Sequence, residues 1–220
     1  MPSTNVFSIE AKHERKSARS RAKLLDAAIV VFADMGVEAA SIKEITREAN
    51  MANGTFYLHF KDKEEIVHEV CTKILSRIAQ NVDYSISEVT EAVERVSIAT
   101  RRFIHFSGKH RHWGQAFIKF FWSLPTIQAL VTTPLRNDLE LGVQQGVFHV
   151  IVDDFLLYIF GANLIAALTE HLNGTSGEEA GSKITELLLQ MLGVPHDQAK
   201  AVAWHPISFE IPESVISNSQ

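Results

Sequence analysis

Apolar and polar positions along the chain recur with the helical period of 3.6 residues, and no stretch alternates with the period of two that a strand requires. From about Ser17 to Met35, the residues Leu24, Ala28, Val31, Phe32 and Met35 share one face, and Gly36 offers a left-handed exit. Ser41 with Glu44 three residues on is a capping box, and Ile42, Ile45 and Ala49 form a narrow buried stripe behind it. Asn50 suits the left-handed conformation of a sharp turn. The piece from Asn53 to Phe60 is too short to stand alone as a helix. Asp62 with Glu65 is a second box and opens a helix over about 63–82, carrying Ile66, Val67, Val70, Ile74 and Ile78 on one face. Helix, turn, short helix and immediate new helix is the helix-turn-helix arrangement, whose second member enters the DNA major groove.

Beyond it, Tyr84-Ser85-Ile86-Ser87 breaks the pattern and Ser85 with Glu88 restarts it. The next helix, ending near Gly108, presents Val89, Ala92, Val96, Phe103 and Ile104. A further one carries Trp113, Phe117, Phe120, Phe121 and Leu124. Thr133-Pro134 reads as a helix opening with Pro at the first position, running to about Gly146. Asp153 caps Phe155 to His171, which is apolar nearly all round. Such a helix is buried on both sides, one against its own domain and one against a partner. A last long helix, Glu178 to Leu192, offers Ile184, Leu187, Leu188 and Met191, after the flexible link Asn173 to Gly177. A short helical remnant from Asp197 to Trp204 follows. The expected fold is all-α: residues 1–64 a basic arm and helix-turn-helix DNA-binding head, residues 65–210 a larger helical body, residues 211–220 a loose tail.

Composition changes this picture little. With 46% hydrophobic residues, 220 residues bury a sizeable core. No unbroken apolar run reaches the 18 or so residues of a membrane helix, the longest candidate being interrupted by Gly161 and Asn163, and the N-terminus lacks a signal-peptide centre. Cys71 is the single cysteine, so no intrachain disulfide forms and a cytoplasmic setting is expected. Cys71 itself reads as a small buried hydrophobe. The net charge of −5 does not advertise nucleic-acid binding, but its distribution does. Residues 12–23 carry Lys12, Arg15, Lys16, Arg19, Arg21 and Lys23 against one acid, Glu14, directly before the helix-turn-helix.

The run Gly54-Thr55-Phe56-Tyr57-Leu58-His59-Phe60, with Lys63-Glu64-Glu65-Ile66 behind it, resembles the signature of TetR-family transcriptional regulators. The resemblance is strong over roughly residues 19–70 and general elsewhere. Ala52 stands where that family commonly caps the recognition helix with Ser or Thr, which costs about 1 kcal/mol unless Asn53 caps instead. Asn50 stands where Gly is usual. The resemblance implies a homodimer that binds double-stranded operator DNA and a small-molecule effector, without a cofactor, acting as a repressor released by its ligand. The alternative is a ligand-independent or activating regulator.

Chemistry and resemblance nominate the same DNA-facing residues: Ser41, Lys43, Asn53, Gly54, Thr55, Tyr57, His59, Lys61 and Lys63. Tyr57 and His59 donate to phosphates or base edges, Thr55 offers a hydroxyl and a methyl, and Gly54 lets backbone approach DNA. Ser41, Lys43, Lys61 and Lys63 sit at helix starts, where N–H groups and positive charge meet phosphate. Phe56 and Phe60, four apart, are structural. Seven aromatics fall in the 20 residues from Phe103 to Trp122, with polar groups among them. That is how small-molecule sites are built, and it nominates Phe103, His105, Phe106, Trp113, Gln115, Phe117, Phe121, Phe155 and Asn163 for a hydrophobic or aromatic ligand. Phe160, Ile184, Leu188 and Met191 are nominated for dimerisation through the two C-terminal helices. His105, His110, His112 and His171 match no zinc-ligand spacing, no nucleophile elbow or phosphate loop appears, and no metal site or enzymatic activity is expected.

Overall fold

Helices form where the apolar period places them in the computed structural model, which describes residues 5–177 and 179–210. The tail expected to be loose lies outside them, and no strand occurs among the described residues. The chain divides into two compact units: one of the residues up to Ser76 with Lys109–Ile127, the other of Arg77–Gly108 with the residues from Gln128 onward.

The first unit begins with a short helix, α1 (Val6–Glu10), that the periodicity did not suggest. Asp26, buried in α2 (Lys16–Ala39), holds it. Its carboxylate accepts from the backbone N–H of Phe7 at 3.0 Å and of Ser8 at 2.8 Å, two donors of a first helical turn. Burial pushes the Asp26 carboxyl above its ordinary pKa, against these lowering bonds. Phe7 packs on Trp113, ring centroids 5.4 Å apart. Gly36 at φ +81° ends the regular part of α2, at the position the sequence indicates. The helices α3 (Ile42–Glu48) and α4 (Asn53–Phe56) follow, and then α5 (Lys63–Ile86), which runs one turn beyond the expected end at 82. Tyr84 to Ile86 lack the Gly or Pro that stops a helix, so the last turn simply continues. Cys71 is buried in α5 and its thiol is pushed up to about 12 by desolvation, which leaves it inert.

Helix α7 (Arg111–Ser123) belongs to this first unit and packs along α2, with Phe120 edge-on to Phe32 at 5.8 Å. In the second unit, α6 (Ala92–Lys109) buries Val96, Phe103 and Ile104. Helix α8 (Pro125–Gln144) starts at Pro125 and continues through Pro134. The opening at Thr133 is thereby corrected: Pro125 takes the first position, where its missing N–H is harmless, and the helix absorbs Pro134 in its interior. Beyond α8 the chain reverses at Gly146 (φ +71°), and Phe148 folds back so that a Cβ at Gly142 would lie 1.9 Å from its ring. Asp153 caps α9 (Asp154–Leu172) as expected, accepting from Leu156 N at 2.8 Å. Gly181 of α10 (Ala180–Met191) lies against the backbone of Arg101, and α11 (His196–Trp204) closes the unit through Trp204 Nε1, which donates to Glu186 at 2.8 Å.

By length and composition α9 is apolar enough to cross a membrane, because its mean hydropathy stays high despite Gly161 and Asn163, which interrupt the apolar run. Its Leu157, Phe160, Ile165, Leu168 and Leu172 nevertheless point into its own unit.

Candidate nucleic-acid interface

The geometry of residues 41–61 follows from a few local bonds. Ser41 and Glu44 form the complete capping box: Glu44 N donates to Ser41 Oγ at 3.3 Å and Ser41 N donates to the Glu44 carboxylate at 2.8 Å. The Ser41 hydroxyl, which donates to the same carboxylate at 2.8 Å, and then the Ser41 N–H hold the Glu44 carboxyl below its ordinary pKa. At the exit of α3, Asn50 adopts φ +54°, as expected of the turn residue. Met51 N bonds back to Thr46 O at 2.9 Å. The Thr46 hydroxyl donates within α3 to Ile42 O at 3.0 Å and lies 3.4 Å from Asn53 Oδ1, at the start of α4. Ala52 is the N-cap of α4 and makes no side-chain cap, and Asn53 does not replace it. Thr55 N donates to Ala52 O at 2.9 Å, and no side chain of the N-cap serves the N–H groups of α4.

Phe56 and Phe60 are fully buried and pack on each other at 5.5 Å, which fixes the rotation of α4. What remains outside is the candidate reading face. Asn53, Gly54, Tyr57 and Lys61 are exposed, and Thr55 and His59 are half-buried. A Cβ added at Gly54 would meet nothing within 4 Å, so the room above it belongs to whatever docks there. Leu58 is 80% exposed on this face, and sequence reasoning passed over it. Its signal is the stripe itself: with Phe56 and Phe60 inward, Leu58 must project to solvent, where an apolar group suits a thymine methyl. Burial, then the nearby Arg21, hold the His59 imidazole below its usual pKa.

Two nominated or basic residues are engaged inside the protein. Lys63 Nζ donates to the carbonyls of Val37 (3.0 Å), Ala40 (3.1 Å) and Glu38 (3.4 Å), at the end of α2. Its three donors are thus committed to a helix C-terminus instead of phosphate. Arg21 pairs with Glu69 and lies 4.6 Å over the Phe60 ring. Lys43 and the basic residues Arg15, Lys16, Arg19 and Lys23 are exposed, leaving the positive charge before the helix-turn-helix open to a phosphate backbone.

The residues nominated for a ligand divide between the units. Trp113, Gln115, Phe117 and Phe121 stand on α7 in the first, and Phe103, His105, Phe106, Phe155 and Asn163 in the second. Phe103, Trp113, Phe117 and Phe121 are buried. Phe155 is 73% exposed, and Asn163 is exposed with its amide donating to Ile159 O of its own helix at 2.7 Å. Exposed His105 stacks on Phe209 at 4.1 Å. Of the dimerisation residues, Phe160, Ile184 and Leu188 are buried within the unit and Met191 is half-buried. On the same two helices, Phe155, Tyr158 and Leu187 are the large apolar side chains left outside. Among the described residues no group of three or more His, Cys, Asp or Glu is placed to hold a metal ion.

Comparison with known proteins bears on both units. Residues 24–70 match the family model described as bacterial regulatory proteins, tetR family, and residues 91–205 match that of the tetracyclin repressor-like C-terminal domain. The chain is similar to the HTH-type transcriptional repressor KstR2 of Mycolicibacterium smegmatis, 31% identical over 65% of this chain and 74% of that protein. A fatty acid metabolism regulator protein of Bacillus subtilis is 28% identical over 40% of this chain, which spans 46% of that relative. Among solved structures, RolR in complex with resorcinol superposes with a TM-score of 0.63 at 26% identity, covering 88% of this chain and 97% of that one.

Proposed function

The chain belongs to the TetR family of bacterial regulatory proteins and is a DNA-binding transcriptional regulator, not an enzyme; from that premise we propose that it is a dimeric, cytoplasmic repressor that a small hydrophobic or aromatic ligand releases from its operator. The observation that carries the DNA half of this reading is the outward face of α4, where Gly54, Tyr57 and Leu58 stand clear of the core. In a dimer, two such faces meet half-sites about 34–36 Å apart. The ligand half draws support from the aromatic stretch between Phe103 and Trp122 and from the resorcinol complex of a relative that covers most of the chain. Release then follows from linkage: a ligand that favours another spacing of the two heads weakens DNA binding by the same coupling free energy with which DNA weakens ligand binding.

The test is a mobility-shift titration with the DNA upstream of the protein's own coding sequence, with and without resorcinol. The repressor reading expects retardation that millimolar resorcinol reverses, and a response blunted at least tenfold in Phe117→Ala or Phe121→Ala while operator binding persists. Retardation untouched by resorcinol and by other small phenols would remove the aromatic effector from the reading.

A further inference from the structure

The second unit holds a groove of about 810 Å³ between the end of α5, α6 and the segment after α11, walled by Tyr84, Ser87, Ile98, Arg102, Ile207 and Glu210 among others. At its floor Arg102 is only 5% exposed. Its terminal nitrogens donate to three backbone carbonyls of one strap: Ser208 at 2.5 Å, Phe209 at 3.4 Å and Glu210 at 3.4 Å. Its Nε is buried with no hydrogen-bond partner. Among the described residues no carboxylate pairs with this guanidinium, so a full positive charge sits on neutral dipoles with one donor idle. Burial draws its pKa below the ordinary arginine value, with Tyr84 opposing, and the group stays charged all the same.

A buried charge of this kind is costly unless it is paired and fully hydrogen-bonded. The planar fork of a guanidinium is satisfied best by a planar carboxylate that takes Nε–H and a terminal N–H together. Two of the three carbonyl contacts are long and the simplest to displace. Ile98 and Ile207 offer apolar wall to the body of such a ligand, whereas the acids Glu88 and Glu210 line the same groove and disfavour a dianion. We propose that this groove is a binding site for a small organic monocarboxylate, centred on Arg102, and that the strap Ser208–Glu210 is its displaceable stand-in. The site is independent of the aromatic effector proposed above.

Calorimetric titration of the full chain with benzoate, and with benzamide as the neutral isostere, tests this. One benzoate per chain is expected, with benzamide at least tenfold weaker. Arg102→Lys should lose at least tenfold in benzoate affinity. Phe209→Ala, which removes the ring stacked on His105 and loosens the strap, should gain severalfold, and it carries the test should Arg102→Lys fail to fold. Phe117→Ala should leave benzoate binding unchanged. Equal affinity for benzamide, tighter binding of inorganic phosphate, loss of binding in Phe117→Ala, or no benzoate binding in wild type and Phe209→Ala alike overturns it.

Discussion

At the scale of single residues, Gly54 separates folding from recognition. A methyl there meets no protein atom, and alanine favours a helix over glycine by up to about 1 kcal/mol. Gly54→Ala should therefore leave the thermal midpoint unchanged or slightly raised while weakening operator affinity at least tenfold in a mobility-shift assay. Undiminished affinity would mean that DNA does not approach this backbone. His59 gives a pH test. Its folded pKa lies below the ordinary value of about 6.5, so the stability it contributes is present above that pH and is lost as pH falls through the lowered value. A phosphate beside the ring favours the imidazolium, so DNA binding should take up a proton, and affinity should rise from pH 7.5 towards 5.5. His59→Gln should flatten that slope; an identical slope in the variant would place His59 away from phosphate. Residues whose roles are set by near neighbours, such as Asn50 and the Ser41–Glu44 pair, were legible in the sequence. Lys63, Arg21 and Asp26 were not, because their partners lie 23–26, 48 and 18–19 positions away and no period links them.

Between elements, Lys63 joins the start of α5 to the end of α2, and this changes what its substitution does. Lys63→Ala removes a charged donor from three carbonyls at a helix C-terminus, a loss of about 1–2 kcal/mol at a half-buried position. Urea unfolding without DNA should show it as a lower midpoint at constant slope, and a variant as stable as wild type would return Lys63 to the phosphate-facing set. Helix existence was readable nearly everywhere from the apolar period. Which unit a helix joins was not. The aromatic face of α7 reads equally well as a ligand wall and as packing, and only the tertiary structure lays Phe120 against Phe32 of α2. The short helix α1 escaped the sequence reading because five residues carry no period, and its stability comes from Asp26.

For the whole molecule the question is which side chains a second copy covers. Phe155, 73% exposed, and Phe160, 2% exposed, lie on the same helix with opposite allegiances. Phe155→Glu should halve the sedimenting mass at micromolar concentration and keep the helical circular dichroism. Phe160→Glu buries a charge in the chain's own core and should unfold it. A Phe155→Glu dimer of wild-type affinity would move the interface off this face. The sequence pointed to α9 and α10 as interface helices by their apolar character, but an all-apolar helix has no polar side to mark its inward face, so Phe160 and Leu188 were nominated where Phe155 and Leu187 stand outside.

The contact of Gly142 with the Phe148 ring has a consequence for how this sequence can drift. A single change of Gly142 to any other residue collides with a ring that is itself 2% exposed, and overpacking of this kind costs about 1–3 kcal/mol. Trimming Phe148 first leaves a small void that a later methyl at 142 fills. The two positions are thus open to change in one order and closed in the other, and lineages that depart from the pair should pass through the smaller residue at 148.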